Sequence, residues 1–422
     1  MANSRETYRL AFPDHENPPY THVSYGIPFT EACAKHVSQT FNAKKAYIIA
    51  SRSLSKQTSH VKDLEQALGS RYCATWNGIS PHTPFDELVP IINDMREKDA
   101  DCLITLGGGS LTDGAKIIIY ALANNVHSMD DLRTMFEQTE KDRKAKNEFR
   151  DRTTGNDPTV PIICIPTTLS AGEYSKFGGG TDPKTQQKTI LVHDKCYPSL
   201  VILDAELCIT TPEWVWLSTG VRAIDHSTES LCSLMAVPEV DAAAEKALKL
   251  MLPNLLKTKQ NPNDLDARLQ CQLAANYTLV ALLYAPEKLL AGGSHGIGHQ
   301  LGPLGVGHGQ TSCILLPAVM KYNKSVNADK QQKVKEILWS DKVVVGILKD
   351  AGLTKENSDA GDALGAVFKA LGMPRTLKEV GVGRDKLDIL ADNSTRDPCC
   401  VANAIPLTKK EQVMEILEMV LG

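Results

Sequence analysis

The first half of the chain is marked by short, continuous apolar runs that are rich in β-branched residues. Four of them, AYIIAS at 46–51, DCLITL at 101–106, VPIICIPTT at 160–168 and LVILD at 200–204, are separated by segments long enough for helices. Uninterrupted apolar runs of this length are typical of strands that are buried on both faces of a parallel sheet. The pattern therefore predicts an α/β domain over residues 1–205.

Helical periodicity replaces these strand signals after residue 205. Apolar residues recur at spacings of three and four in VDAAAEKALKLMLPNLLK (240–257), ARLQCQLAANYTLVALLYA (267–285) and KKEQVMEILEMVL (409–421). Such spacing places the apolar side chains on one face of a helix, so we expect an all-α domain over 206–422. The charged, proline-bearing segment from about 128 to 159 predicts a surface excursion between strands of the first domain.

Composition narrows the classes of partner. The chain has 422 residues, 42% of them hydrophobic, which is enough for two domains, and its formal net charge of -4 without a basic block argues against nucleic acid. No apolar stretch reaches the roughly 18 residues that span a bilayer. The 11 cysteines lack metal-ligand spacing, and the N-terminus lacks a signal pattern. We expect a cytoplasmic protein that binds a small molecule and no membrane.

Three consecutive glycines follow the second apolar run. DCLITL predicts a strand, GGGS (107–110) a turn and LTDGAKIIIYALA (111–123) a helix, so the backbone N–H groups of the turn lie at a helix N-terminus. Unpaired donors and the helix dipole both favour an anion such as a phosphate at this place. A plain tight turn remains the alternative, as does a first-turn role in the helix for Asp113 and Lys116.

Several further motifs carry a family resemblance. They are IPTTLSAGEYS (165–175), GVRAIDHSTES (220–230), SHGIGHQLGPLGVGHG (294–309), LGMPRTLKEVGV (371–382) and NAIPLTKKE (403–411). Together with GGGSLTDGAK, their order and spacing resemble the iron-containing alcohol dehydrogenase family. IPTTLSAGE is more similar to the maleylacetate reductase branch, because it is one residue shorter than the Gly-Thr-Gly-Ser-Glu form. The resemblance implies a Rossmann-like domain followed by a helical domain, the dehydroquinate synthase-like fold, in a homodimer or higher oligomer.

The resemblance also implies that NAD or NADP binds in a cleft between the two domains. It assigns to the dinucleotide the residues Ser51, Gly107, Gly108, Gly109, Ser110, Asp113, Thr167, Thr168 and Lys188. NAD-preferring relatives often carry an acidic residue where this chain has Ser51, since a carboxylate there binds the ribose and repels a 2′-phosphate. The pair Ser51-Arg52 therefore predicts that NADPH is accepted, with an ordinary surface arginine as the alternative.

The metal site departs from the family pattern of one Asp and three His. The histidines match at His226, His295 and His308, but Arg222 stands four residues before His226, and a guanidinium cannot ligate a cation. Its repulsion of a nearby dication is on the order of several kcal/mol at an effective dielectric constant of about 20. Asp225 lies about 100° away on the helix from His226 and is a poor substitute ligand. We expect no catalytic metal; iron or zinc on the three histidines is the alternative.

Without a metal, Arg222 can offset the negative charge that develops on a carbonyl oxygen, or it can bind a substrate carboxylate. One of His226, His295, His299 and His308 can then deliver the proton. The prediction is an NAD(P)H-dependent oxidoreductase that transfers a hydride to a carbonyl or activated alkene of a small, carboxylate-bearing substrate. The alternatives are a metal-dependent alcohol dehydrogenase, a non-redox lyase, isomerase or cyclase on this fold, and a non-catalytic nucleotide-binding protein.

Overall fold

A computed structural model of the protein describes residues 5–12, 21–146, 155–185, 188–284 and 291–422. These residues form two compact units, Met1–Thr210 (unit 1) and Thr211–Gly422 (unit 2). Each unit contains a hydrophobic core of its own. Within the described ranges, no helix combines the length and the apolar character that crossing a lipid bilayer requires.

Unit 1 is built on a mostly parallel sheet. Its strands are β1 (Thr7–Leu10), β2 (His22–Tyr25), β3 (Ala46–Ala50), β4 (Tyr72–Asn77), β5 (Cys102–Gly107), β6 (Ile162–Pro166), β7 (Phe177–Thr181), β8 (Lys188–Val192) and β9 (Leu200–Leu203). Seven of these described strands form one sheet in the order β1-β2-β9-β6-β5-β3-β4, and β7 and β8 form a separate antiparallel hairpin. Neighbours in the larger sheet are parallel except β1 and β2. The predicted α/β class is confirmed.

The four apolar runs became β3, β5, β6 and β9, which are adjacent in the middle of the sheet and buried along their whole length. The hydrophobic pattern missed β1, β2, β4 and the β7–β8 hairpin. In β4, for example, YCATWN mixes polar and apolar side chains because the strand lies at the edge of the sheet and stays partly exposed. An edge strand needs no continuous apolar run.

The helices of unit 1 are α1 (Phe29–Lys35), α2 (Arg52–Gln57), α3 (His60–Leu68), α4 (Phe85–Glu97), α5 (Gly109–Ala123) and α6 (Met129–Lys146). The helix α6 corrects the predicted surface excursion over about 128–159. Its residues Leu132 and Phe136 are buried, and the Phe136 ring stacks on Phe85 at a centroid distance of 4.6 Å. The few apolar side chains among many charges were too sparse to predict this packing. Residues 147–154 of that segment lie outside the described ranges.

Unit 2 is helical in its described parts, as the periodicity predicted. Its helices are α7 (Glu213–Cys232), α8 (Pro238–Gln260), α9 (Leu265–Tyr284), α10 (Gly293–Leu301), α11 (His308–Leu338), α12 (Lys342–Asp350), α13 (Ala360–Ala370), α14 (Leu387–Ser394), α15 (Pro398–Val401) and α16 (Lys410–Met419). The helices α7, α10 and α11 carry most of the polar residues described below. Where α11 begins, Gly309 lies against α7, and a Cβ at this position would be 2.6 Å from the backbone carbon of Ser218.

The close approach at Gly309 predicts a stability difference between two glycine substitutions. Gly309→Ala should lower the free energy of unfolding by about 1–3 kcal/mol, because the added methyl group would overlap the backbone of Ser218, which cannot shift without the rest of α7. Gly346→Ala, in α12 where a Cβ has no neighbour within 4 Å, should raise it by up to about 1 kcal/mol. Urea unfolding of both variants is the measurement, and equal effects would contradict the packing described for α7 and α11.

Candidate functional site

In unit 1, the glycine turn joins β5 to α5. Gly107 ends the strand with φ at +149°, and a Cβ there would lie 2.9 Å from the Cβ of Ser51 and 2.7 Å from Leu111. Gly108 precedes the first residue of the 15-residue helix and has no side chain that could cap it. The start of the helix therefore has no side-chain cap, and the helix dipole favours an anion there.

The sheet brings other predicted cofactor residues to the same edge. Ser51 follows β3, Gly107 ends β5 and Thr167 follows β6, and these three strands are neighbours. The Thr167 N–H donates to the Gly107 carbonyl at 3.1 Å, and a Cβ at Gly108 would lie 3.3 Å from Thr168 Cγ2. Adjacent carboxyl ends of parallel strands thus assemble the residues that the resemblance assigned to the dinucleotide.

Asp113 lies one helical turn into α5, and Lys188, the first residue of β8, lies close to it. A Cβ at Gly179 on β7 would lie 2.7 Å from Lys188 Cε and 3.4 Å from Asp113 Oδ2. Burial raises the pKa of Asp113, and the charges of Lys116 and Lys188 oppose this shift. The hairpin therefore brings Lys188 close to Asp113 of α5.

Lys116 has a role that the sequence did not predict. It is fully buried, and its ammonium donates to the carbonyls of Gly172 at 2.6 Å and Phe177 at 2.8 Å and to Ser175 Oγ at 3.2 Å. Burial lowers its pKa, and the charge of Asp113 opposes the shift. Lys116 thereby holds the segment after Thr168 against α5. The feature of the sequence that could have indicated a buried lysine is that apolar residues follow it directly.

In unit 2, three helices bring the four predicted histidines together. His226 lies on α7, His295 and His299 lie on α10, and His308 begins α11. The rings of His226 and His295 stack with centroids 4.4 Å apart, His299 lies edge-on to His295 at 6.3 Å, and His308 lies edge-on to His299 at 6.4 Å. All four predicted histidines are therefore in one cluster.

Glu229 anchors the start of α10 in this cluster. Its carboxylate accepts hydrogen bonds from the N–H groups of Gly292 and Ser294, each at 2.8 Å, and lies 2.9 Å from His295 Nδ1. Burial raises the pKa of Glu229 well above its usual range, and the charge of Asp225 adds to the shift. With Nδ1 facing the carboxylate, His295 Nε2 is left buried and without a hydrogen-bond partner among the described residues.

Arg222 lies one helical turn before His226, and its side chain is only 12% exposed. Its Nη1 donates to Ser312 Oγ at 3.1 Å and lies 3.9 Å from Asp225 Oδ2. The same Asp225 oxygen accepts from Ser312 at 2.5 Å and from Ser294 at 3.1 Å. Burial raises the pKa of Asp225 to about 6, and the Arg222 charge opposes the shift. Asp225, predicted to be a poor substitute ligand beside His226, instead turns toward the serines and Arg222.

The histidines differ in their electrostatic surroundings. Burial lowers the pKa of His226 and of His295 well below the usual range, and the Arg222 charge adds to both shifts. These two imidazoles are therefore neutral near pH 7. His299 is different, because its side chain is 38% exposed and its Nδ1 lies 2.9 Å from Asp397 Oδ2. His299 thus combines a carboxylate partner with access to solvent.

The residues at the family's metal positions are not brought together as one set of ligands among the residues that the structure describes. Among the described residues, the groups whose ligand atoms lie within 4.8 Å of one another are Asp225–Glu229–His295 and His299–Asp397–Cys399, and neither is the set His226, His295 and His308. In the first group, His295 Nδ1 is already hydrogen-bonded to Glu229 at 2.9 Å. Arg222 Nη1 lies 3.9 Å from the Asp225 carboxylate of the same group. A fixed guanidinium thus stands where the pattern calls for an anionic ligand.

Comparison with known proteins identifies the family of this two-unit fold. The family model for iron-containing alcohol dehydrogenase matches residues 26–205, and that for the Fe-containing alcohol dehydrogenase family, C-terminal, matches residues 216–421. The chain is 38% identical to the dehydrogenase FUM7 of Gibberella moniliformis, over 95% of this chain and 96% of that protein. It is 36% identical to the dehydrogenase ALT3 of Alternaria alternata, over 89% of this chain and 99% of that protein.

A structural neighbour agrees with this assignment at the level of fold. The maleylacetate reductase of Agrobacterium tumefaciens superposes with a TM-score of 0.73 at 22% identity, over 94% of this chain and 95% of that one. The chain belongs to the iron-containing alcohol dehydrogenase family, which confirms the resemblance, and it is a dehydrogenase or reductase of that family. Members of the family are NAD(P)-dependent.

The glycine turn predicts how a side chain at Gly108 acts on dinucleotide binding. Gly108→Val should raise the Kd for NADPH by at least about 100-fold, because the branched side chain occupies the space that a phosphate would enter. The same substitution also presses on Thr168 Cγ2. Repeating it in a Thr168→Ser background removes that contact, and binding should stay lost. Recovery of NADPH affinity in the double variant, or parental affinity in the folded single variant, would contradict the assignment.

Proposed function

We propose that this protein is an NAD(P)H-dependent reductase that transfers a hydride to the carbonyl or activated alkene of a small, carboxylate-bearing substrate without a catalytic metal. The observation that carries this proposal is the position of Arg222. Its guanidinium lies in the histidine cluster on the face of α7 that also presents His226, and it remains charged at any physiological pH. A permanent cation thus stands at the position of the family's acidic metal ligand, where it can bind an anionic group of the substrate.

The contacts of Arg222 support a carboxylate as its ligand. Nη1 makes the contacts with Ser312 and Asp225, whereas Nε and Nη2 make no hydrogen bond to any residue that the structure describes. These two nitrogens form one edge of the planar guanidinium, and such an edge binds both oxygens of a carboxylate at once. Because the side chain is largely buried, the interaction is less screened than at a surface.

The histidines have two different roles in this proposal, proton delivery and an uncharged lining of the site. A hydride added to a carbonyl carbon leaves an alkoxide, which takes up one proton to give the alcohol. His226 and His295 are held neutral by burial and by Arg222, so they line the site as uncharged groups. His299, paired with Asp397 and open to solvent, delivers the proton and regains one from water.

Unit 1 provides the dinucleotide site in this proposal. A bound nicotinamide dinucleotide supplies the hydride. The N–H groups at Gly108 to Ser110 would hold its pyrophosphate, and Ser51 would lie near its ribose. The Ser51 hydroxyl already accepts from the Leu54 N–H as the cap of α2. Arg52 beside it donates to Ser80 Oγ at 3.0 Å and to Glu87 Oε2 at 3.1 Å, so its charge is partly offset. The absence of a carboxylate at position 51 favours acceptance of NADPH.

A metal-dependent alcohol dehydrogenase is the second candidate. It is favoured by the buried His295 Nε2 and His226 Nδ1, which have no hydrogen-bond partner within the described ranges and could in principle ligate an ion. The first candidate fits the site better, because Arg222 would have to share this space with the dication.

Ser51 predicts the effect of a new carboxylate on cofactor choice. Ser51→Asp should weaken NADPH binding about tenfold more than NADH binding, because a carboxylate repels the 2′-phosphate and accepts from the ribose hydroxyl. Ser59→Asp, which adds the same charge at an exposed position before α3, serves as the control. Fluorescence titration of both dinucleotides is the measurement. A loss of equal size for NADPH and NADH would place Ser51 away from the ribose.

Arg222 predicts a preference between substrates that differ only in a carboxylate. NADPH oxidation with succinic semialdehyde and with butanal provides a pair of equal chain length. Arg222→Ala should lower kcat/KM for succinic semialdehyde at least about 100-fold, since a charge-assisted bidentate contact is lost, and should lower it far less for butanal. Arg222→Lys should recover little, because an ammonium lacks the planar fork. Unchanged kcat/KM for both aldehydes would remove Arg222 from the proposed mechanism, and equal losses would move it from the carboxylate to the reacting oxygen.

A further inference from the structure

Ser312 on α11 connects Arg222 to Asp225. Its hydroxyl lies 3.1 Å from Arg222 Nη1 and 2.5 Å from Asp225 Oδ2, and the side chain is fully buried. Arg222 can only donate and an Asp225 carboxylate can only accept. The serine therefore accepts from the arginine and donates its single proton to the aspartate, and the two contacts fix the direction of both hydrogen bonds.

The carboxylate at the far end of this chain is itself held in place. Besides Ser312, Asp225 Oδ2 accepts from Ser294 Oγ at 3.1 Å and lies 3.3 Å from His295 Nδ1. Asp225 is completely buried on α7, where its charge attracts Arg222 from 3.9 Å. At that distance the attraction has no preferred direction, because 3.9 Å is beyond hydrogen-bond range. Asp225 balances the charge of Arg222, but it does not orient the guanidinium.

We propose that Ser312 is a positioning residue that orients Arg222 for the substrate carboxylate. This inference rests on the proposed function of Arg222. By occupying Nη1 and standing between the guanidinium and Asp225, Ser312 keeps the Nε–Nη2 edge available to a ligand. Without the hydroxyl, Arg222 and Asp225 gain the freedom to pair directly and bidentately, and that pairing competes with an incoming carboxylate for the same edge.

The structure offers a matched control for this proposal. Ser294 is as buried as Ser312 and donates to the same oxygen of Asp225, but Arg222 has its described side-chain hydrogen bond with Ser312 and not with Ser294. Ser294→Ala and Ser312→Ala therefore each remove one hydrogen bond from Asp225, and only Ser312→Ala frees Arg222. Ser312→Thr keeps the hydroxyl and tests whether the hydrogen bond itself is what matters.

The experiment measures succinate binding to the complex of the protein with NADP+ by calorimetry, beside the kcat/KM ratio of succinic semialdehyde to butanal. Ser312→Ala should raise the Kd for succinate at least about tenfold and lower the ratio by a similar factor, with kcat for butanal little changed. Ser294→Ala and Ser312→Thr should both stay within about threefold of the parent. Melting curves check that each variant is folded.

Three other outcomes separate this inference from the proposed function. If Arg222→Ala abolishes the preference for a carboxylate while Ser312→Ala leaves Kd and ratio unchanged, Arg222 binds the carboxylate but Ser312 does not position it, and the inference is overturned. Equal losses in Ser312→Ala and Ser294→Ala overturn it as well, because the effect would then come from Asp225 alone. If Arg222→Ala itself leaves succinate binding unchanged, the proposed function fails first.

Discussion

A buried, permanently charged guanidinium is the constraint on which the arrangement of unit 2 depends. Arg222 cannot lose its proton, and an unpaired charge in the interior costs several kcal/mol, so the surrounding residues must balance it. Asp225 supplies the opposite charge, Ser312 supplies a directed acceptor, and the neighbouring imidazoles of His226 and His295 stay neutral. Asp225 and Ser312 are thus arranged around one cation, and in the proposed function the same cation binds the carboxylate of the substrate.

Unit 1 depends on backbone geometry instead of side-chain charge. Gly107 and Gly108 let β5 turn directly into α5, where any side chain would meet Ser51, Leu111 or Thr168. Lys116 supports the resulting turn, because its ammonium donates three hydrogen bonds to the segment that follows Thr168. A phosphate site made of main-chain groups needs such external support, because the glycines themselves contribute no packing.

Sequence patterns predicted the features that depend on residues close together in the chain. The buried strands β3, β5, β6 and β9, the glycine turn and the four clustered histidines each follow from a short motif. The contacts that were missed join different elements: Asp225 to Ser312 across α7 and α11, and Lys116 to residues about 60 positions later. Spacing on one helix predicted that Asp225 and His226 point in different directions, but it could not reveal what α10 and α11 would place beside Asp225.

The central claim is that the enzyme works without a metal ion because Arg222 stands where an acidic metal ligand would be needed, and metal content tests this claim most directly. Elemental analysis of the active protein should find zinc and iron far below stoichiometric amounts, and NADPH oxidation with succinic semialdehyde should survive dialysis against a chelator. An Arg222→Asp variant, which restores an acidic ligand beside His226, should by contrast retain an added divalent ion. Stoichiometric zinc or iron in the parent protein, lost together with its activity on chelation and recovered when the ion is returned, would contradict the account.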